Sequence, residues 1–65
     1  MYSGKIKFFN QKSQFGFIIC NEDGKEYYVH AKDVEGGASI DAEDKVSFEL
    51  KEAKRGPEAV NVKKL

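Results

Sequence analysis

Two aromatic runs hold the residues best able to do chemistry in this chain: Phe15-Gly16-Phe17-Ile18 and Tyr27-Tyr28-Val29-His30. In a strand, residues two apart share a face. Phe15 and Phe17 therefore share one face, with Gly16 and Ile18 opposite. In the second run Tyr28 and His30 share a face, with Tyr27 and Val29 opposite. Paired as a hairpin, the two strands would set four flat rings side by side. Such a row is a stacking platform for unpaired bases, because every base has a π-face and stacking needs no sequence match. The competing reading is a core, since aromatic rings carry large apolar area and suit a pleated surface. Ile18 and Val29 already supply an apolar second face, and so short a chain is ill-equipped to cover both faces of a sheet. Periodicity by itself leaves both readings open.

No comparable set points to catalysis. The single Cys and single His, Cys20 and His30, fall on different strands, with no recognisable carboxylate partner and no metal-ligand spacing. The expectation is a non-enzyme without cofactor or metal. Cys20 ends an apolar strand and reads as a small buried hydrophobe rather than a reactive thiol. A lone Cys suits a reducing compartment. No run of about 18 apolar residues offers a membrane span, and no apolar signal region follows Met1. These points give a cytoplasmic expectation.

The elements that must position the rings are short. The 65 residues read as one domain, 1–65, with five strands near Gly4–Asn10, Phe15–Asn21, Glu26–His30, Lys45–Lys51 and Ala59–Lys63. The breaks follow turn chemistry. Asn10-Gln11-Lys12-Ser13-Gln14 is polar, Asn21-Glu22-Asp23-Gly24 ends in the hairpin pair Asp-Gly, and Arg55-Gly56-Pro57 precedes the last strand. Only Ala31–Glu35 and Asp41–Asp44 have room for a helical turn, and neither is long enough for a stable helix. Five short strands and a small core indicate an all-β, closed antiparallel barrel, since closure removes exposed edges. The expected core is Ile6, Ile18, Val29, Val46, Phe48, Leu50, Val60 and Val62, with Ile40 plugging one end.

Eleven cations balance eleven carboxylates, so the formal net charge is zero. That argues against a strong, sequence-blind polyanion binder. Residues 1–32 carry a surplus of two positive charges and hold the rings; residues 33–65 carry the matching deficit. Asp41-Ala42-Glu43-Asp44 reads as a solvated loop away from any phosphate, and Lys63-Lys64 as a solubilising end.

Four stretches, in order and at matching spacing, resemble the bacterial cold-shock domain over essentially the whole chain. Gly4-Lys5-Ile6-Lys7-Phe8-Phe9-Asn10 is similar to that family's opening Gly-Lys-Val-Lys-Trp-Phe-Asn. Ser13-Gln14-Phe15-Gly16-Phe17-Ile18 resembles its Lys-Gly-Phe-Gly-Phe-Ile, and Tyr27-Tyr28-Val29-His30-Ala31 its Val-Phe-Val-His-Phe. Gly56-Pro57 and Ala59-Val60-Asn61-Val62 match the closing turn and strand. The resemblance implies a five-stranded oligonucleotide-binding barrel that binds single-stranded RNA and DNA with little sequence preference and acts as a nucleic-acid chaperone, with effects on transcription or translation. Carried over residue by residue, Phe8, Phe15, Phe17, Tyr28 and His30 stack on bases. Lys7 and Asn10 touch backbone or base edges, Lys12 stands in for a missing Lys, and Lys54 and Arg55 contact phosphate from the loop before the last strand. Asp23 or Lys25 borders the same groove.

The departures count as well. Phe8 replaces Trp, Ser13 replaces Lys, and Gln14 replaces Gly, so the tight turn there is expected to be rebuilt. Ala31 replaces an aromatic, and Gly36-Gly37-Ala38-Ser39 lacks the ring the family carries in that loop. Each lost ring removes about 1–3 kcal/mol of stacking. Tyr27 takes an aliphatic core position, so its hydroxyl must reach solvent or a partner. These losses motivate an alternative of another class: a protein-interaction or self-associating module with weakened nucleic-acid affinity, using the same exposed rings. A monomer is expected, with a domain-swapped dimer as the alternative that the Gly-containing loop allows.

Overall fold

Apolar alternation produces five strands where they were read, with ends shifted by up to three residues; the last begins at Gly56, so Gly56-Pro57 belongs to the strand rather than to a turn before it. The structure is a computed structural model and describes residues 1–35, 40–54 and 56–65. Arg55 and the Gly36-Gly37-Ala38-Ser39 stretch lie outside the described residues. The strands are β1 (Tyr2–Asn10), β2 (Phe15–Cys20), β3 (Glu26–His30), β4 (Lys45–Ala53) and β5 (Gly56–Lys64), with one short 3-10 helix, Ala31–Asp33, after β3. They close into a barrel in the order β1-β2-β3-β5-β4. Pairing is antiparallel except for one seam. β3 meets β5 in parallel, with Tyr28 opposite Glu58.

The interior holds Ile6, Ile18, Cys20, Val29, Ile40, Val46, Phe48 and Val62, each at most 1% exposed, with Tyr27, Val34 and Ala59 beside them. Phe9 and Leu50 pack on this cluster from its margin. Leu50, expected inside, is thus only partly buried, and two further differences from the expected core have one cause each. Val60 is only half-buried, and Ala59 takes the interior place. Asn61 adopts a left-handed φ of 51°, and β5 carries one extra residue there relative to β4, where the pairing slips between Ser47 and Glu49. A bulge of this kind inverts the in–out alternation, so Ala59 and Val62 both face inward. Val34 escaped notice because it lies just beyond the 3-10 helix, where it bridges to Val62.

A second bulge sets the outer face that carries the rings. Ile6 pairs with Ile18, but Phe8 pairs with Phe17, so β1 carries an extra residue at Lys7. Strict alternation would put Phe8 on the face of Ile6. With the bulge, Lys7 and Phe8 are both exposed and Phe9 turns toward the core. The bulged backbone then lies against Gly16: a Cβ there would collide with the Phe8 carbonyl oxygen and the Phe9 Cα. Gly16 is required for close approach, not for turning.

The turn between β1 and β2 is held by Asn10. Its side-chain Oδ1 accepts from the backbone N–H groups of Lys12 and Ser13 at 2.9 and 3.1 Å. Its carbonyl accepts from Gln14 N–H at 2.7 Å. Gln14 adopts a left-handed φ of 61°, a conformation that suits glycine and costs about 1–2 kcal/mol.

Tyr27 enters the core ring-first and finds a partner for its hydroxyl. The hydroxyl donates to Asp23 Oδ2 at 2.6 Å, while Asp23 Oδ1 accepts from the Lys25 N–H at 2.8 Å. The Tyr27 hydrogen bond, then the Lys25 N–H, holds the Asp23 carboxyl below its usual 3.8. Bonding to that carboxylate, then burial, pushes the Tyr27 phenol up to about 12.

Two predictions come from this packing. Gly16→Ala should destabilise the domain by about 1–3 kcal/mol, the range for forcing extra atoms into a packed site, as read from urea unfolding. An unchanged midpoint would show that β1 does not press on Gly16. For the Tyr27–Asp23 bond the sign follows from the two shifts. Asp23 is depressed, so its contribution is present above the usual carboxyl value and is lost as pH falls through the lowered one. Tyr27 is raised, so its contribution is complete below the usual 10.0 and is lost as pH rises through about 12. The melting-temperature gap between the native chain and Tyr27→Phe should therefore be constant between those limits and close at both extremes. A pH-independent gap would mean the hydrogen bond contributes nothing.

Candidate nucleic-acid interface

β2 and β3 alternate without a slip, and their register is direct: Phe15 opposite His30, Phe17 opposite Tyr28, Ile19 opposite Glu26. All six side chains leave the barrel on its outer face. The β1 bulge brings Phe8 to the same face beside Phe17, with ring centroids 5.5 Å apart. Phe17 also meets Phe15 at 6.3 Å and Tyr28 at 6.1 Å, both nearly perpendicular. Only Phe15 and Tyr28 lie nearly parallel, at 5.6 Å and 21°. The rings form one contiguous patch, and most of its neighbours meet edge to face rather than parallel. Phe17 stands edge-on at the centre, which is the arrangement ring quadrupoles favour.

His30 lies on this face and also caps the 3-10 helix. Its Nδ1 accepts from the Lys32 N–H at 3.1 Å. That bond fixes the proton of the neutral ring on Nε2, leaving a donor for a ligand. Asn10 uses its side-chain oxygen in the turn, so its amide NH₂ is the group left to reach outward. Lys7 is not a bare cation: its Nζ sits 3.0 Å from Glu26 Oε2. Lys12 is exposed in the β1–β2 turn, and Lys54 is exposed in the turn that joins β4 to β5. Neither is in an ion pair among the described residues. Arg55, expected at the same turn as Lys54, lies outside them.

Beside the rings, a depression of about 370 Å³ is lined by Phe17, Lys25, Glu26, Tyr27, Tyr28, Pro57 and Glu58. Lys25 was expected to border the groove and does. Asp23 instead serves Tyr27. Glu26 was legible in hindsight, because it alternates onto the face of Tyr28 and His30. Pro57 and Glu58 carried no local signal, since only the parallel β3–β5 seam brings them to Tyr28. Among the described residues no group of His, Cys, Asp and Glu is arranged to hold a metal ion, and no helix is long and apolar enough to cross a membrane.

Comparison with known proteins places this geometry. The profile of the 'Cold-shock' DNA-binding domain matches residues 2–65. The cold shock protein CspD of Bacillus subtilis is 45% identical over the whole of both chains. The cold shock protein CspB of Geobacillus stearothermophilus is 42% identical, again over the whole of both. The Drosophila structure Unr CSD456 superposes with a TM-score of 0.80 at 26% identity, covering 98% of this chain and 26% of that one. This chain thus spans about a quarter of that larger structure. With the profile running nearly end to end over a closed five-stranded barrel, the chain belongs to the cold-shock domain family, whose members bind nucleic acid.

Proposed function

We propose that the chain binds single-stranded RNA and DNA through Phe8, Phe15, Phe17, Tyr28 and His30, with low overall sequence preference, and acts as a nucleic-acid chaperone in the cytoplasm. The observation that carries this reading is the contiguous ring patch on one outer face of the barrel. Rings exposed in a cluster are available to stack on bases that are not stacked on each other. Lys12, Lys54 and Arg55 supply phosphate contacts, and Asn10 and the His30 Nε2–H supply donors to base edges or backbone. Lys7 joins them once a phosphate competes it away from Glu26. A strand held with its bases on protein rings cannot pair, so weak and rapidly reversible binding opens or prevents hairpins. This is the physical basis for effects on transcription and translation.

Two outcomes test the reading, both by fluorescence anisotropy of a labelled dT oligomer of roughly seven nucleotides, within one barrel's site size. Phe17→Leu keeps apolar bulk and removes the π-face, so it should weaken binding by about 1–3 kcal/mol, or roughly five- to 150-fold. Ile19→Ala, on the same face but without a ring, is the control and should change little. Equal effects from the two would reduce the platform to a greasy patch, the behaviour of a protein-docking face. The salt dependence should be shallow. Three phosphate contacts, or four once Lys7 joins, at about 0.7 each give a log–log slope of roughly −2 to −3, whereas a slope of about −5 or steeper would make charge, not stacking, the driving force.

A further inference from the structure

We propose that the depression beside Phe17 and Tyr28 is a guanine-selective subsite read by the Glu58 carboxylate; the inference rests on the single-strand reading above and assigns one base position within it. Phe17, Tyr28 and Pro57 give the depression flat apolar walls, and its volume of about 370 Å³ leaves room for one base. Two acidic residues line it, Glu26 and Glu58, and they differ in what they already hold. Glu26 is bonded to Lys7. Glu58 is half-buried on β5 opposite Tyr28, and its carboxylate has no hydrogen bond or ion pair among the described residues. Its antiparallel neighbour on β4 is Lys51, yet the ion pairs formed, Lys5–Glu43, Lys7–Glu26, Lys63–Glu35 and Lys64–Asp44, leave Glu58 out.

A half-buried carboxylate beside aromatic walls calls for a ligand with N–H donors, because an ionised carboxylate only accepts. The Watson–Crick edges of the bases differ in this respect. Thymine and uracil present one N–H between two carbonyl oxygens, which a carboxylate repels. Adenine and cytosine present one amino group next to a bare ring nitrogen, again an acceptor facing an acceptor. Guanine alone presents two adjacent donors, N1–H and the N2 amino group, spaced to meet both carboxylate oxygens. That pairing is bidentate and charge-assisted. Lys25, on the rim, offsets the negative charge that would otherwise repel the phosphate of the same nucleotide. The walls are indifferent to base identity, so selection resides in the edge contact, at this position only.

The test scans a single dG through the dT heptamer and measures affinity by anisotropy at one fixed salt concentration. At one register the dG oligomer should bind about tenfold more tightly than dT, within the discrimination one bidentate base contact provides. Inosine at that register, which lacks the N2 amino group, should lose most of the gain. Glu58→Gln offers one acceptor and one donor in the same shape; it should abolish the guanine preference without weakening dT binding. A preference for dG that survives Glu58→Gln, or no register favouring dG, overturns the assignment while the single-strand reading stands. Failure of the dT heptamer itself to bind overturns both.

Discussion

The ring-bearing face depends on one extra residue in β1, and that residue depends on an absent side chain in β2. Without the bulge at Lys7, the period-two pleat would carry Phe8 to the side of Ile6 and leave Phe9 outside. With it, Ile6 and Phe9 face the core and Phe8 lands 5.5 Å from Phe17. The bulged strand can sit so close only because Gly16 has no Cβ where the Phe8 carbonyl and Phe9 Cα now lie. Lys7-Phe8 and Gly16 are therefore one device on two strands. The Gly between two Phe residues matters for the ring it lets a neighbouring strand deliver.

This device also separates what the sequence discloses from what it conceals. β2 and β3 are paired without slippage, so alternation alone places Ile18 and Val29 inside and Phe15, Phe17, Tyr28 and His30 outside. β1 and β5 each contain a bulge, and a bulge inverts every later position without altering composition. Val60 was accordingly assigned to the interior that Ala59 occupies, and Phe8 was placed outside by family resemblance rather than by its spacing from Ile6. Asn61 gave a faint warning, since Asn enters left-handed conformations more readily than most residues. Its side chain is then anchored by donating to Glu49 Oε1 at 2.8 Å. The contact of Pro57 and Glu58 with Tyr28 was out of reach of any local pattern, because a parallel pairing between distant strands has no turn to announce it.

Zero net charge conceals a partition. The acidic stretch after Ile40 and the C-terminal lysines largely satisfy each other or the barrel's far side: Lys64 meets Asp44 at 3.5 Å, Lys63 meets Glu35 at 3.5 Å, and Lys5 meets Glu43 at 3.3 Å. Exposed pairs of this kind add little stability, but they remove charge from the field a polyanion would feel. Near the rings, Lys7 is already engaged by Glu26. Lys12, Lys25 and Lys54 are left without ion pairs among the described residues. A surface so arranged would gain little from counterion release, so binding as proposed above would rest on stacking, which ties the neutral composition to the ring patch.

The departures from the family pattern affect the ligand more than the architecture. Tyr27 in an aliphatic place is accommodated by Asp23, and Gln14 in a glycine place holds the left-handed turn. Gln14 also accepts from the Ala31 N–H at 2.8 Å through its backbone carbonyl, which clamps the end of β3 to the β1–β2 turn whatever side chain position 31 bears. His30 adds its bond to Lys32. Position 31 is thus held by main-chain contacts that do not need an aromatic ring there. Ala31 therefore lacks a ring while its scaffold stays intact. On the reading proposed above, the weakening such a change brings is a loss of contact area confined to that end of the patch, while the cluster centred on Phe17 keeps its geometry.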